Sequence, residues 1–279
     1  MRPEKLPYVP TINFVAVIKL IRKLFGHKSI PIRNFGLKKD KFDLRDKVYS
    51  PRYKARVLLP KSTERRNFIN FPFRWDQGSI GSCTGHGSAA GFIRALIKNN
   101  QPVYEPSRLY AYYNAREGGC KCEDSGASIR DAIKGIAKYG LCPEEVWPSD
   151  PNKFAIKPSD QAYIEGEKHQ AIEYFRIYPV TKEAIMSAIH EGYAIVYGQI
   201  LYKSFMSEKV ARTGIVPNPR CFEDQIGGHC KCILDYEEAG VFELNSWNRN
   251  WGIDGGCLIP WKYVLSKDSF DFWVIKLTE

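Results

Sequence analysis

Cys83 stands where a cysteine nucleophile is expected. It follows the glycine-rich stretch QGSIGS and begins a segment whose apolar residues recur at helical spacing. The positive end of a helix stabilises a thiolate, which is the nucleophilic form of cysteine. Buried and inert cysteines are also common. This stretch alone therefore leaves three roles open for Cys83: a nucleophile, a metal ligand, or a small residue in a tight turn.

A cysteine nucleophile needs a base and a group that orients the base, and both can come from distant parts of the chain. His229 is predicted to begin the strand HCKCILDY, and Asn245 to end the strand VFELN. Adjacent strands would bring them together, so that the asparagine oxygen could accept the imidazole N–H. Trp247 or Trp251 could cover this hydrogen bond. His86 is expected to pack, because a side chain at that position points back along the helix.

A third polar side chain precedes the cysteine. Gln77 lies six residues before Cys83. Its side-chain amide could point where the backbone N–H of Cys83 also points, which would supply two donors for an oxyanion.

The stretches QGSIGSC, GGHCKCILDY and NSWNRNWGIDGG together resemble the signature regions of papain-like cysteine peptidases, in the family's order of Gln, Cys, His and Asn. The intervening stretches YEPSRLYAYYNAREG, DSGASIRDAIKGIAKYGLCPEEVWP and TGIVP resemble bacterial and viral members more than lysosomal cathepsins. The resemblance covers the chain from about residue 60 to residue 279.

The resemblance implies a thiol peptidase that acts on a peptide or protein substrate through an acyl-enzyme thioester, with no metal or organic cofactor. Cys83 would attack the carbonyl as the thiolate of a thiolate–imidazolium pair. His229 would shuttle the proton, Asn245 would orient His229, and Gln77 would help to hold the oxyanion. Two alternatives stay open: a catalytically silent papain-fold binding or structural protein, and an acyl-transfer or amidase enzyme that uses the same residues.

The chain departs from the family at four positions near these motifs. Ile80 replaces a cysteine found in many members three residues before the nucleophile, so a common disulfide is missing. Thr84 replaces the usual tryptophan, Gly228 stands where Asp or Asn is frequent, and Cys230 stands where Ala is usual. None of these changes removes a predicted catalytic residue, although a free thiol beside His229 could alter redox sensitivity.

Helical patterns precede strand patterns along the chain. Ser128 and Asp131 are predicted to form a capping box at the start of the clearest helix, which Gly140 ends, and Thr181 is predicted to cap the helix of TKEAIMSAIHEG. This order predicts an α+β protein. The family resemblance implies a papain-like two-lobe fold, with a helical lobe at about residues 77–180, an antiparallel β-barrel-like lobe at about 181–279, and the active site in the cleft between them.

Residues 1–60 are rich in Pro, Lys and Arg and are expected to wrap on a body that spans residues 61–279. Papain-like enzymes are commonly made as inactive precursors, so the extension could be an inhibitory pro-segment and the protein a zymogen. A permanent arm or anchor is the alternative. Residues 12–26 have an amphipathic helical pattern that could contact an anionic membrane, although packing on the protein is favoured.

The chain carries a formal net charge of +10, but its basic residues are dispersed and no RNA-binding or zinc-finger pattern accompanies them. Specific nucleic-acid binding is therefore not predicted. Neither a signal peptide nor a membrane span is predicted, and the eight cysteines leave an odd number beside a catalytic thiol. These features favour a reducing compartment, cytoplasmic or virion, with mostly free thiols. The pairs Cys120/Cys122 and Cys230/Cys232 differ from the usual Cys-x-x-Cys zinc spacing, so no metal is predicted.

Overall fold

Long helices precede most of the strands in the described chain. The computed structural model describes residues 34–51, 59–116, 121–170 and 172–278. The chain divides into Met1–Pro31 and Ile32–Glu279, and the second unit is the one described below. Its α+β arrangement is the one that the sequence predicts.

The helices of the described residues are α1 (Arg66–Ile69), α2 (Cys83–Lys98), α3 (Arg108–Ala115), α4 (Ile129–Tyr139), α5 (Asp160–Glu167), α6 (Lys182–His190), α7 (Glu208–Thr213) and α8 (Trp261–Val264). The strands are β1 (Leu37–Lys38), β2 (Ala127–Ser128), β3 (Ile172–Arg176), β4 (Ile195–Tyr202), β5 (Gln225–Tyr236), β6 (Gly240–Leu244), β7 (Gly256–Pro260) and β8 (Ser269–Leu277).

Local capping signals set the ends of the helices. The Ser128 hydroxyl accepts a hydrogen bond from the Asp131 N–H and donates one to Asp131 Oδ2 at 2.8 Å. Gly140 ends α4 with a φ of 68°, a conformation that residues with a Cβ rarely adopt. Thr181 caps α6 by accepting from the Ala184 N–H. The predicted capping residues are thus confirmed.

The strands β3, β8, β4, β5, β6 and β7 form one antiparallel sheet in that order. The prediction that His229 begins its strand is wrong, because β5 starts at Gln225 and His229 lies inside it. Gly227 and Gly228 pair with Leu201 and Ile200 of β4. Glycine has low strand propensity, so the sequence pattern conceals these first residues of the strand.

Helix α2 packs between the other helices and the sheet, against α3 on one side and β5 on the other. Two glycines permit this close approach. A Cβ on Gly87 would lie 2.7 Å from Cys230 Sγ, and one on Gly91 would lie 2.7 Å from Val196 Cγ2. The start of α2 therefore lies directly beside the middle of β5, where the two lobes meet.

Residues 34–51, here called the strap, run along this junction. Its strand β1 pairs in parallel with β2 of the helical lobe. Farther along, the Asp40 N–H donates to Asp271 Oδ2 of β8 at 2.7 Å, and the Trp273 indole N–H donates to Asp40 Oδ2 at 2.8 Å. Asp46 forms ion pairs with Arg130 and Arg176. The strap is thus bound to both lobes.

None of the described helices is long and apolar enough to span a membrane. The predicted membrane contact at residues 12–26 lies outside the described residues. Six cysteines have free thiols, of which Cys221 is exposed, and Cys122 is disulfide-bonded. The prediction of mostly free thiols is confirmed for the described part of the chain.

Candidate active site

Cys83 is the first residue of α2, so its predicted place at the start of a helix is confirmed. The N–H groups of the first turn point toward this end of the helix, and the side chain of the N-cap residue Ser82 does not bind them. The backbone N–H groups of Cys230, Gly36 and Thr84 face the sulfur. The side chain is fully buried. The sulfur therefore lies among N–H donors that would stabilise negative charge on it.

His229 and Asn245 meet across β5 and the end of β6. The imidazole Nε2 lies 2.8 Å from Asn245 Oδ1, and that oxygen also accepts from the Ser246 N–H at 2.8 Å. An oxygen can only accept, so the imidazole carries its proton on Nε2 in this pair. His229 and Asn245 are thus neighbours, as predicted, and the position of Asn245 fixes the tautomer of the His229 ring.

Trp247 covers this pair, as one of the two tryptophans was predicted to do. Its ring lies 5.2 Å from that of His229 and is tilted by 32°. Trp251 packs edge-on against Trp247 at 5.1 Å, one layer farther from the histidine. With Asn245 only 3% exposed, the hydrogen bond to His229 is shielded from water.

Gln77 is held by Ser246, the residue after Asn245. The Ser246 hydroxyl donates to Gln77 Oε1 at 2.6 Å, and the Gln77 N–H donates to the Ser246 carbonyl at 2.9 Å. With its oxygen engaged in this way, the amide directs Nε2 toward the Ile80 carbonyl at 2.9 Å and the Asn34 carbonyl of the strap at 3.4 Å. Gln77 therefore presents a donor to the same cleft in which the strap lies.

His86 is a packing residue, as predicted. Its side chain is 5% exposed, and Nδ1 lies 3.0 Å from the Ser82 carbonyl of the preceding turn. Its ring packs edge-on against Trp75 at 6.3 Å. The ring is thus directed back along α2 and packs on Trp75.

The strap covers the cleft at Cys83 and His229. The Phe35 ring meets His229 edge-on at 6.1 Å and lies 6.4 Å from Trp247. The next residue, Gly36, accepts a hydrogen bond from the Ala127 N–H at 2.9 Å. As a result, both Cys83 and His229 are fully buried.

The contact at Gly36 is too close for any other residue. A Cβ there would lie 2.3 Å from the Gly81 carbonyl oxygen and 2.9 Å from Gly126 Cα. Asp124 supports the same place, because it accepts from the Gly81 N–H at 2.9 Å and from Asn34 Nδ2 at 2.7 Å. Only glycine can bring the strap backbone this near to the start of α2.

Leu37 fills a pocket beside the buried cysteine and histidine. A Cβ on Gly198 would lie 2.7 Å from Leu37 Cδ2 and 2.7 Å from Phe270 Cε2, so the leucine packs where β4 has no side chain. A Cβ on Gly228 would lie 3.1 Å from the Leu37 carbonyl oxygen. Leu37 thus packs against the hydrophobic core.

The covered state alters the chemistry of the thiol. Burial raises the pKa of Cys83 to about 11, because desolvation outweighs the N–H groups of Cys230, Gly36 and Thr84, which lower it. While the strap is in place, Cys83 is therefore a protonated thiol near neutral pH.

Sequence reasoning missed Ser246 and Asp124, and it proposed an inhibitory extension at residues 1–60 without identifying strap residues 35–37 as its contacts with the site. The signal for Ser246 was its position next to Asn245 in the motif NSW. Asp124 and the strap have no comparable signal, since their contacts join residues far apart in the chain. Within the described ranges, no group of three or more His, Cys, Asp or Glu side chains is arranged to hold a metal ion.

Comparisons with known proteins relate this chain to cysteine peptidases. No family model matches the chain. The peptidase C1-like protein L477 of Acanthamoeba polyphaga mimivirus is 38% identical, over 88% of this chain and 87% of the viral protein. Xylellain, a cysteine protease from Xylella fastidiosa, is 32% identical with a TM-score of 0.80, over 90% of this chain and 99% of xylellain. ProCathepsin B S9 from Trypanosoma congolense shares the fold, with a TM-score of 0.65 and 13% identity over 94% of this chain and 97% of the procathepsin chain.

Proposed function

Since this chain belongs to the papain-like cysteine peptidase family, we propose that Cys83, His229, Asn245 and Gln77 are its catalytic residues and that the strap holds them in a latent state. The observation that carries the proposal is the 2.8 Å bond between His229 Nε2 and Asn245 Oδ1 beside a cysteine at the start of a helix. The enzyme is a hydrolase that acts on peptides or proteins.

In the proposed mechanism, His229 takes the thiol proton of Cys83 on Nδ1 because Asn245 occupies Nε2. The thiolate attacks the carbonyl carbon of the scissile bond, and the imidazolium donates its proton to the leaving amine. A water then gives a proton to His229 and attacks the thioester carbonyl carbon, the C–S bond breaks to release the acid product, and His229 returns the proton to the Cys83 thiolate. Both steps return the histidine to its starting state.

The oxyanion of each tetrahedral intermediate would be held by the Gln77 side-chain amide and the backbone N–H of Cys83. The bond from Ser246 Oγ to Gln77 Oε1 supports this role, because it fixes the amide with Nε2 toward the cleft. A donor held in place before the reaction needs no reorganisation when the charge develops. The Asn34 carbonyl, 3.4 Å from Nε2, occupies part of this space in the covered state.

The strap has the features of an inhibitor and not of a substrate. Gly36 presents an N–H group to the sulfur of Cys83, whereas a substrate must present a carbonyl carbon. Leu37 and Phe35 at the same time fill the space beside the two reacting side chains. Displacement of the strap would rehydrate the thiol and remove the desolvation that raises its pKa.

Gly36→Ala is the substitution that tests both parts of the proposal. The added methyl would meet the Gly81 carbonyl at 2.3 Å, so the strap must lift while the catalytic residues stay unchanged. Overpacking a close contact costs about 1–3 kcal/mol. We therefore expect an epoxide thiol inhibitor to modify Cys83 about tenfold faster or more in this variant, as mapped by mass spectrometry. Phe42→Ala, at a strap residue that is 84% exposed, is the matched control and should not change the rate.

The outcomes separate the nucleophile from the latency. If Cys83 stays unmodified in every form while other cysteines react, the peptidase mechanism is wrong. Equal rates of Cys83 modification in the wild type and Gly36→Ala would disprove inhibition by the strap and leave the nucleophile in place. Cys83→Ala should abolish cleavage of a peptide substrate, with products identified by mass, and remaining turnover would assign the nucleophile elsewhere.

We also propose that the protein works in a reducing compartment. Six free thiols among the described residues support this assignment. The disulfide at Cys122 makes the assignment testable, because it should be reduced in protein isolated with thiols blocked at lysis. An oxidised Cys122 in such a preparation would contradict it.

A further inference from the structure

A fully buried ion pair lies next to the His229–Asn245 pair. Lys231 Nζ is 2.6 Å from Glu243 Oε1, and neither side chain is exposed. Lys231 lies two residues after His229 on β5, and Glu243 lies two residues before Asn245. Side chains two apart on a strand share one face, so both pairs lie on the same face of β5 and β6.

Neutral side chains complete the bonding of this ion pair. Lys231 donates to Gln199 Oε1 at 2.7 Å, and Gln199 is the residue that pairs with His229 across β4 and β5. Glu243 accepts from the Tyr197 hydroxyl at 2.6 Å and from the Cys257 thiol at 3.1 Å. Both charges are therefore satisfied by partners from two neighbouring strands, β4 and β7.

The ion pair is also joined to the histidine through aromatic rings. Lys231 Nζ lies 4.9 Å from the Phe205 ring, which packs edge-on against Trp247 at 5.5 Å. Trp247 in turn covers His229 at 5.2 Å. A change in charge at Lys231 or Glu243 would act on the imidazole across apolar side chains, with little screening by water.

Five titratable groups near the ion pair stay neutral around neutral pH. Burial is the largest cause in each case, and it raises the pKa of every one of them: Tyr197 of β4, Cys230 and Cys232 of β5, Cys257 of β7 and Tyr263 of α8. On the cleft side, burial also raises the pKa of Cys83 in the covered state. Lys231 and Glu243 thus carry charge among neutral neighbours, and the charges that reach these neighbours from farther out are those of Asp40, Arg94, Asp268 and Glu223.

Stability alone does not account for such a pair. The cost of removing two charges from water can exceed their mutual attraction, and apolar replacements of a buried pair are often neutral or stabilising. Removal of one partner, in contrast, leaves an uncompensated charge. The position of this ion pair beside the proposed base, His229, therefore points to a role in the chemistry of that base.

We infer that Lys231 and Glu243 are positioning residues for His229: they join β5 to β6 beside the His229–Asn245 bond, and Lys231 cancels the effect that the Glu243 carboxylate alone would have on the pH at which activity ends on the alkaline side. This inference rests on the proposed function. It concerns how the base is tuned, and not which residues touch the substrate.

The test compares the pH dependence of kcat/KM for a dye-labelled unfolded protein as substrate, in chains that all carry Gly36→Ala. In Lys231→Met the Glu243 carboxylate, still held by Tyr197 and Cys257, favours the imidazolium. The alkaline midpoint should therefore rise by about one pH unit, as expected for an unpaired buried charge that acts across apolar side chains. In Lys231→Met/Glu243→Gln both charges are gone and Tyr197 keeps an acceptor. Its midpoint should return to within about 0.3 pH unit of the parent.

The control is Lys209→Met, which removes an exposed lysine of the same lobe and should leave the midpoint unchanged. A midpoint does not depend on how much of a variant is folded, so partial misfolding of Lys231→Met does not obscure the result. An unshifted midpoint in Lys231→Met, or the same shift in the single and double variants, would overturn the inference. After either of these two outcomes, modification of Cys83 by the epoxide inhibitor would show that the proposed function still holds. Absence of that modification would count against the proposed function itself.

Discussion

At the residue scale, Ser246 connects the two halves of the proposed catalytic machinery. Its hydroxyl holds the Gln77 oxygen at 2.6 Å, and its N–H holds the Asn245 oxygen at 2.8 Å. Asn245 Oδ1 in turn lies 2.8 Å from His229 Nε2. The oxyanion donor and the base are thus fixed relative to each other by one short bonded chain, which favours a defined geometry over adjustable contacts.

Gln77→Glu tests the oxyanion role. The glutamate keeps an acceptor for the Ser246 hydroxyl but removes the Nε2 donor and adds a negative charge where charge develops in the transition state. We expect kcat to fall by about 100-fold or more with KM little changed, as for the loss of one oxyanion donor. Steady-state kinetics in the Gly36→Ala chain measures both constants.

The matched control for this substitution is Gln101→Glu, at an exposed glutamine after α2. It introduces the same charge away from the cleft and should leave both constants unchanged. A kcat for Gln77→Glu that stays close to the parent value would remove Gln77 from the catalytic residues.

At the scale of elements, the strap and β8 meet through two carboxyl groups. Asp271 is 3% exposed, accepts from the Asp40 N–H at 2.7 Å, and binds Arg176 Nη2 at 2.6 Å. Burial, followed by the nearby charge of Asp40, raises the pKa of Asp271 to about 6. This contact is therefore sensitive to pH in the range between the ordinary aspartate value and neutrality.

The sign of the pH effect follows from linkage. As the pH rises from about 4 to 6, the unfolded chain has already released the proton that folded Asp271 retains, so the stability from this group is lost on passing the folded pKa. In Asp271→Asn this loss is absent. Relative to the wild type, the variant should therefore be more stable at pH 7 than at pH 4: the difference in the free energy of unfolding, variant minus wild type, should be larger by about 2 kcal/mol at pH 7. Urea unfolding at both pH values measures it.

Asp224→Asn serves as the control, because that carboxylate side chain is 78% exposed. Its difference from the wild type should be the same at both pH values. If the free energy of unfolding of Asp271→Asn also differs from that of the wild type by the same amount at pH 4 and pH 7, the pKa of Asp271 is not raised in the folded protein.

At the scale of the whole molecule, the interior holds most of the free thiols. Cys83, Cys142, Cys230, Cys232 and Cys257 are buried, and Cys221 is exposed. Burial raises the pKa of Cys142 to about 12, with smaller effects from its neighbours. A buried and protonated thiol is neither accessible nor nucleophilic.

Reaction of the folded wild type with a water-soluble disulfide reagent should therefore modify Cys221 rapidly and the five buried thiols only on unfolding. Peptide mapping after timed quenching identifies the sites. Cys221→Ser should abolish the fast phase and leave peptide cleavage unchanged. Fast modification of Cys232 or Cys257 in the native state would show that the β lobe opens far more readily than its packing indicates.

The sequence by itself determined the family and much of the order of elements. The proposed catalytic residues Gln77, Cys83, His229 and Asn245 were identified from their types, spacing and family resemblance, and the caps Ser128 and Thr181 from local hydrogen-bonding rules. Such features depend on a few neighbouring residues or on a motif that the chain retains. The start of β5 was missed because its glycines lack the side chains on which the strand pattern depends.

The tertiary structure alone decided which distant groups meet. The Asp40–Asp271 contact joins residues 231 positions apart, and no local pattern encodes the fit of Gly36 against Gly81. Lys231, a charged residue in the strand HCKCILDY, gave no signal that it would be fully buried, since its partner lies on another strand. Burial and pairing depend on the packing of the whole chain, and they decide whether the thiol is covered and which charges lie beside the base.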